Sequence, residues 1–259
     1  MIHRLFQRFH YFVFVPLMHA VGIVSLGEAN TLLVFLLGIL LYYPLHSIGT
    51  VIGYHKLLSH RSFEPRPGVM VMCSIMGMIS FSGHPLAWAA THRLHHKYAD
   101  TNRDPHSPTK GLLHAYYTWL WSYEMPEADK FIVKDLVRQY PWMLNLWAWE
   151  SVIPAVFYAI LFSIDTTLGS VFLFAALLSW HKGMLLNAIS HDPKSLDKNK
   201  AINRIWMARL LSPTFLHYDH HQVSNRWDYS TPGVRDHSAW FIDRFLKQPN
   251  NCILSKSAG

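Results

Sequence analysis

Charge is scarce in this chain of 259 residues: Asp, Glu, Lys and Arg together make up 15% of it, against 51% hydrophobic residues. So thin a polar complement points away from an ordinary soluble globule and excludes an intrinsically disordered chain. Cysteine is nearly missing. Cys73 and Cys252 are the only two, too few for a disulfide framework and in keeping with a reducing compartment. Acidic residues number 16 against 23 basic ones, leaving a net charge of +7. Such a surplus suits anionic lipid headgroups or acidic partners. It does not point to nucleic acid, because the Lys/Arg-rich helix or aromatic–basic motif of that class is lacking. Internal repeats and low-complexity linkers are also lacking, so residues 1–246 read as a single domain and 247–259 as a loose tail.

What the chain has instead is long apolar runs, at 11–26, 31–54, 143–164 and 167–187, each close to the roughly 17–25 residues of a spanning helix. They pair as two hairpins, one turning at Gly27-Glu28-Ala29-Asn30 and the other around Asp165. Neither short loop contains Lys or Arg. Basic residues lie on the opposite side or, like Lys182, inside the last run, which places both termini and the long middle segment in the cytoplasm. The expected fold is an all-α, multi-pass integral membrane protein with four transmembrane helices and a cytosolic histidine-rich helical cap. Arg4 and Arg8 ahead of an apolar stretch ending in Ser25-Leu26-Gly27 resemble a signal peptide. The segment is expected to stay, as the hairpin partner of the second run. Tyr116, Tyr117, Trp119, Trp121 and Tyr123 read as an interfacial aromatic belt. Met70, Met72, Met76 and Met78 read as apolar packing.

Eighteen histidines are present, and the informative ones cluster: His55/His60, His92/His95/His96, His191 four residues after Asn187, and His217/His220/His221. Neutral imidazole is a good ligand for iron, zinc or copper. The count exceeds what one ion needs, so two ions in a shared site is the natural reading. The i, i+3, i+4 spacing of the two triplets puts three rings on one side of a helix, and Asn187 and His191 likewise share a face. His55 and His60 do not fit that pattern: at about 100° per residue they lie about 140° apart, and share a site only where the helix ends or bends. As a helix, 31–54 is about 36 Å long against a hydrocarbon core of about 30 Å, so His55 emerges at the cytoplasmic edge. His19, His46 and His181, isolated on apolar helices, read as packed or hydrogen-bonded residues rather than ligands. Asp100, Asp104, Asp192 and Asp219 stand near the clusters in sequence and are candidates to orient imidazole N–H groups.

Six segments, in order, resemble the membrane fatty acyl desaturases of the acyl-CoA type. They are Gly53-Tyr54-His55-Lys56-Leu57-Leu58-Ser59-His60-Arg61-Ser62; Trp88 with Thr91-His92-Arg93-Leu94-His95-His96-Lys97; Asp104-Pro105-His106; Asn187-Ala188-Ile189-Ser190-His191; His217-Tyr218-Asp219-His220-His221; and Trp227-Asp228-Tyr229-Ser230. The combination is specific although no single box is. The resemblance implies a di-iron centre, two Fe2+ ions held by His55, His60, His92, His95, His96, His191, His217, His220 and His221, with Asn187 holding a water. It implies O2 as co-substrate and a cis double bond introduced into a saturated acyl chain, at the delta-9 position. A hydroxylase or other oxygenase on the same scaffold is the alternative, and a non-catalytic metal-binding membrane protein a more distant one.

The last box reads His-Tyr-Asp-His-His where relatives often have His-Asn-Tyr-His-His. Thr109-Lys110 and Ala90 stand where more basic residues often occur. The acyl carrier is therefore open between CoA, acyl-carrier protein and membrane lipid. Electrons are expected from a separate carrier, cytochrome b5, ferredoxin or rubredoxin, and the basic face would favour an acidic one. Tyr42, Tyr43 and Trp88 are the candidate substrate-tunnel residues; the two tyrosines lie three to four turns before His55, where a bulky side chain can floor a tunnel.

Overall fold

Asn30 and Asp165, the polar residues of the two short loops, fix where two long helices begin. Asn30 Oδ1 accepts the Leu33 amide at 3.2 Å and Asp165 Oδ1 the Leu168 amide at 2.8 Å, satisfying donors that a helix start leaves orphaned. The Asn30 amide donates to Thr167 Oγ1 at 3.0 Å, so both loops sit side by side at one end of the bundle.

The structure, a computed structural model, describes residues 2–195 and 200–249. Its principal helices are α1 (Arg4–Ser25), α2 (Thr31–Ser59), α3 (Val69–Ile79), α4 (Pro85–Tyr98), α5 (Val152–Ile164), α6 (Thr166–Ile189), α7 (Ile205–Leu210), α8 (His217–Gln222) and α9 (His237–Phe241). Among the described residues there are isolated backbone bridges but no β-strand. Three helices, α1, α2 and α6, are long and apolar enough to cross a membrane. α5 and Pro141–Trp149 are long and apolar enough only as a pair, bent by 55° where they meet, so the described residues offer three candidate spans, or four if the pair counts as one. The apolar run read as continuous over 143–164 is thus broken. Pro154, in the first turn of α5, has no amide to carry the ladder back across Glu150-Ser151, and the preceding segment is wound in the tighter i→i+3 register.

Small residues let the helices approach. A Cβ on Gly38 would come 2.5 Å from the Phe174 ring, one on Gly49 2.6 Å from the Met76 carbonyl, and one on Gly53 2.8 Å from Cys73 Cβ. Glycine is therefore required for α2 to lie against α6 and α3 at this distance. α1 joins the bundle with Gly22 against Leu173 and Leu177 of α6. At the histidine end, Leu57, Leu58, Leu86 and Ala90 form one buried core with Val133, Leu136, Met143, Ile242 and Leu246.

The buried ion pair Lys56–Asp236, 2.6 Å and fully shielded from solvent, ties α2 to the N-cap of α9. Ser238 also receives a bond from Lys56. The start of the stretch read as a loose tail is held: Pro65 bridges to Lys247, and the Gln248 amide donates to the Glu64 carbonyl at 3.0 Å. Residues 250–259, with Cys252, lie outside the described residues.

Candidate metal centre

The second half of α2 resolves the difficulty of His55 and His60. From Ser47 to Ser59 the backbone runs in the i→i+5 register, and the His60 amide donates to the His55 carbonyl at 3.2 Å. Residues five apart then stack on one face. The two rings have centroids 4.9 Å apart. α4 is capped by His84 Nδ1, which accepts the Leu86 amide at 3.2 Å, and carries His92, His95 and His96 inward in its last two turns. His191 follows the end of α6, and α8 presents His217, His220 and His221.

These nine imidazoles collect into two groups, His55, His60, His92, His96 and His220 in one, His95, His191, His217 and His221 in the other. Within each group the nitrogens lie within 4.8 Å of one another. In the first, Nε2 atoms face each other at 2.8 Å (His60–His92), 2.9 Å (His96–His220), 3.0 Å (His55–His220) and 3.1 Å (His92–His96). In the second they face at 3.0 Å (His191–His217), 3.1 Å (His217–His221) and 3.2 Å (His95–His221). The groups adjoin through the stacked rings of His96 and His221, 4.2 Å apart.

The outward nitrogens show which way the rings are set. His95 Nδ1 meets the Asp104 carboxylate at 3.0 Å, His191 Nδ1 meets Asp100 at 2.7 Å, and His220 Nδ1 meets the Tyr229 hydroxyl at 3.0 Å. With Nδ1–H donated to a carboxylate, His95 and His191 must turn bare Nε2 lone pairs inward. Burial, with the neighbouring imidazoles, holds His92, His96, His217, His220 and His221 well below the usual histidine range, and burial with Arg93 and His95 brings His60 to about 3. These six rings are neutral at pH 7. Convergent lone pairs at these separations repel unless a cation sits between them, so the donor set fits two metal ions.

Asp100 and Asp104 do meet ligand rings, whereas Asp219 accepts from Asn203 Nδ2 at 2.9 Å and Asp192 Oδ1 from the Lys194 amide at 3.0 Å. Sequence proximity to a histidine does not separate these cases; the left-handed turn at Asp100, φ 61, brings that carboxylate back to His191. His106 was not singled out as a ligand. It stacks on His95 at 4.4 Å, and with His95 and Asp104 it forms a third convergent group.

A cavity opens against the first group, walled by His55, Trp88, Thr91, His92, Asn187 and His217 near the imidazoles. It extends to Tyr11, Thr50, Phe81, Leu120, Trp180 and Met184. Of the tunnel candidates, Trp88 lines it. Tyr42 stands behind its wall, stacked at 5.3 Å on His46, which does line it. Tyr43 lines a different hollow, with Leu211, Arg235 and His237. Of the residues read as an aromatic belt, Trp119 lines the cavity and Tyr116 hydrogen-bonds His181 Nδ1 at 2.7 Å. His46, hydrogen-bonded to Ser179 as a packed residue rather than a ligand, and Lys182 are part of the cavity wall. The signal for both was polarity inside an otherwise apolar run.

Comparison with known proteins gives one matching family model, fatty acid desaturase, over residues 30–239. The chain is 26% identical over 227 residues to Delta-9 acyl-lipid desaturase 1 of Arabidopsis thaliana, covering 80% of this chain and 70% of that protein. It is 29% identical over 214 residues to the sn-2 palmitoyl-lipid 9-desaturase of Nostoc sp. (strain 36), covering 77% and 73%. It is 26% identical over 223 residues to the Acyl-CoA 5-desaturase AL21 of Anemone leveillei, covering 82% and 68%.

Proposed function

The chain belongs to the fatty acid desaturase family, and from that premise we propose that it is a membrane oxidoreductase that introduces a cis double bond into a saturated fatty acyl chain, using O2. The observation that carries this reading is the pair of adjoining imidazole groups opening onto one largely apolar cavity. His55, His60, His92, His96 and His220 would hold one iron; His95, His191, His217 and His221, with a water on Asn187, the other. Bound iron with O2 supplies the oxidant that removing hydrogen from unactivated methylenes requires, which no side chain provides.

The rest is done by the chain's own residues. Asp100, Asp104 and Tyr229 fix the ring orientations from outside. Trp88, stacked on His92 at 5.1 Å, and Val51 give the cavity an apolar wall beside the imidazoles. Such a wall excludes water and holds one methylene pair in place. Relatives named as 9-desaturases favour the delta-9 position. Relatives acting on lipid and on CoA esters leave both carriers in reach. Electrons would come from a separate acidic carrier such as cytochrome b5, ferredoxin or rubredoxin, drawn to the basic face.

Expression in a desaturase-deficient host, with mass spectrometry of its lipids, tests the reading. A new mono-unsaturated acyl chain that vanishes in His92→Ala and His220→Ala is expected. A hydroxylated product would replace desaturation with oxygenation, and unaltered lipids from a metal-loaded protein would overturn both.

A further inference from the structure

The cavity wall is not uniformly apolar. Lys182, in the interior of the spanning helix α6, is 7% exposed and lines it. Its amino group donates to Thr214 Oγ1 and lies 5.3 Å from the Phe215 ring centroid. Among the described residues no carboxylate is within ion-pairing distance of it. His46, on α2, is 1% exposed and lines the same cavity. Its Nδ1 is bonded to Ser179 Oγ at 2.7 Å, which leaves Nε2 buried and without a partner. Ser179 and Thr214 also line the cavity, so four polar side chains from α2, α6 and the segment before α8 converge there.

A lysine inside a membrane-spanning helix is costly unless something pairs with it, and such residues mark substrate paths. Lys56 shows how this chain treats a lysine whose role is structural: it is sealed against Asp236 and Ser238. Lys182 has no such acid and faces a void. An anionic oxygen group entering with the ligand would supply that partner, since two spare N–H bonds on Lys182 and the open His46 nitrogen are matched by the two oxygens of a carboxylate.

We propose that His46, Ser179, Lys182 and Thr214 form a carboxylate-binding pocket within the acyl cavity, so that the chain takes acyl ligands bearing a free carboxylate. This rests on the acyl-substrate reading and narrows it. The carboxylate has two possible sources, the head of an unesterified fatty acid or the far end of an esterified chain. The pocket separates this cavity from one that accepts only hydrocarbon.

Binding to the purified protein, followed by quenching of tryptophan fluorescence from Trp88, Trp119 and Trp180 in the cavity, tests this without iron loading or turnover. Three probes are compared: palmitate, 1-palmitoyl lysophosphatidylcholine, and the same lysolipid with a carboxylate at the far end of its acyl chain. At least one carboxylate probe is expected to bind about tenfold or more tighter than the plain lysolipid. Palmitate alone identifies the head carboxylate, the modified lysolipid the far one. In Lys182→Met the ratio is expected to fall to about one, and in Lys182→Arg to be largely retained. Should Lys182→Met fail to fold, His46→Gln provides the same comparison with a smaller drop. Equal binding of all three probes, or a preference that survives these variants, overturns the pocket. Failure of the desaturase reading would show instead as carboxylate-selective binding without any new double bond in the host lipids.

Discussion

Asp219 lies inside a histidine box and Asp104 eight residues beyond one, yet it is Asp104 that holds a ligand ring. Burial alone would raise Asp104; the hydrogen bond from His95 and the nearness of His95 and His106 outweigh that and bring the carboxyl well below the usual range. It is therefore an acceptor at any working pH, and it fixes which His95 nitrogen faces inward. Asp104→Ala is expected to weaken retention of the second metal by about 10–100-fold, measured as metal content after dialysis against chelator. Asp219→Ala, which removes a contact to Asn203, is expected to leave it unchanged. The two tyrosines of α2 divide in the same way. Tyr42→Ala removes the ring behind His46 and is expected to shift the acyl products toward longer chains, whereas Tyr43→Ala, facing another hollow, leaves the chain-length profile as it is. Gas chromatography of host lipids reads both; a shift with Tyr43→Ala and none with Tyr42→Ala would contradict the placement.

At the scale of elements, α2 concentrates the local requirements. Its i→i+5 register stacks His55 on His60, and its glycines let it touch α3. In Gly53→Leu the new Cβ meets Cys73 Cβ and the Ile48 carbonyl, within about 3 Å of each, and the branched side chain beyond it cannot be housed. A loss of about 1–3 kcal/mol is expected, seen as a lower midpoint of thermal unfolding in detergent; an unchanged midpoint would show that the contact yields freely. The α-helical triplets were legible because three and four residues make a turn, so the face of His92, His95 and His96 follows from spacing. For His55 and His60, spacing showed only that the helix must end or bend; the i→i+5 winding that joins them was not legible, because nothing local in 47–59 announces it. The break at Glu150 was hidden for another reason: apolar residues resume directly after Glu150-Ser151, so that this polar pair and Pro154 are the local hints that the hydrogen-bond ladder is interrupted. His46 and Lys182 were visible as polar residues in apolar runs, but their convergence depends on the packing of α2 against α6.

For the molecule as a whole, the Asn30–Thr167 contact gathers the two base-free loops at one end, and the histidines lie away from them. With the basic residues at the histidine end, both termini and the metal centre are expected on the cytoplasmic side. Single cysteines placed at Glu28 and Asp165 should react with impermeant reagents only from the outer face; labelling from the cytoplasm alone would reverse the topology. The same architecture depends on the pairing of distant segments. Asp236→Ala would strand the Lys56 ammonium without its acid and is expected to cost about 3–5 kcal/mol, read by thermal unfolding. Replacing both residues by apolar ones of similar size should recover most of that loss.

The uneven make-up of the two imidazole groups sets the order in which their side chains are translated. His55, His60, His92 and His96 have all been translated before the middle of the chain, and only His220 of that group comes late. In the other group His95 waits alone for His191, His217 and His221. As the ribosome releases the chain from its N-terminus, the first pocket is four-fifths complete when the second has one ligand. On the two-metal reading, the first pocket is therefore expected to be able to take up an ion earlier than the second, which would wait for the last helices to dock.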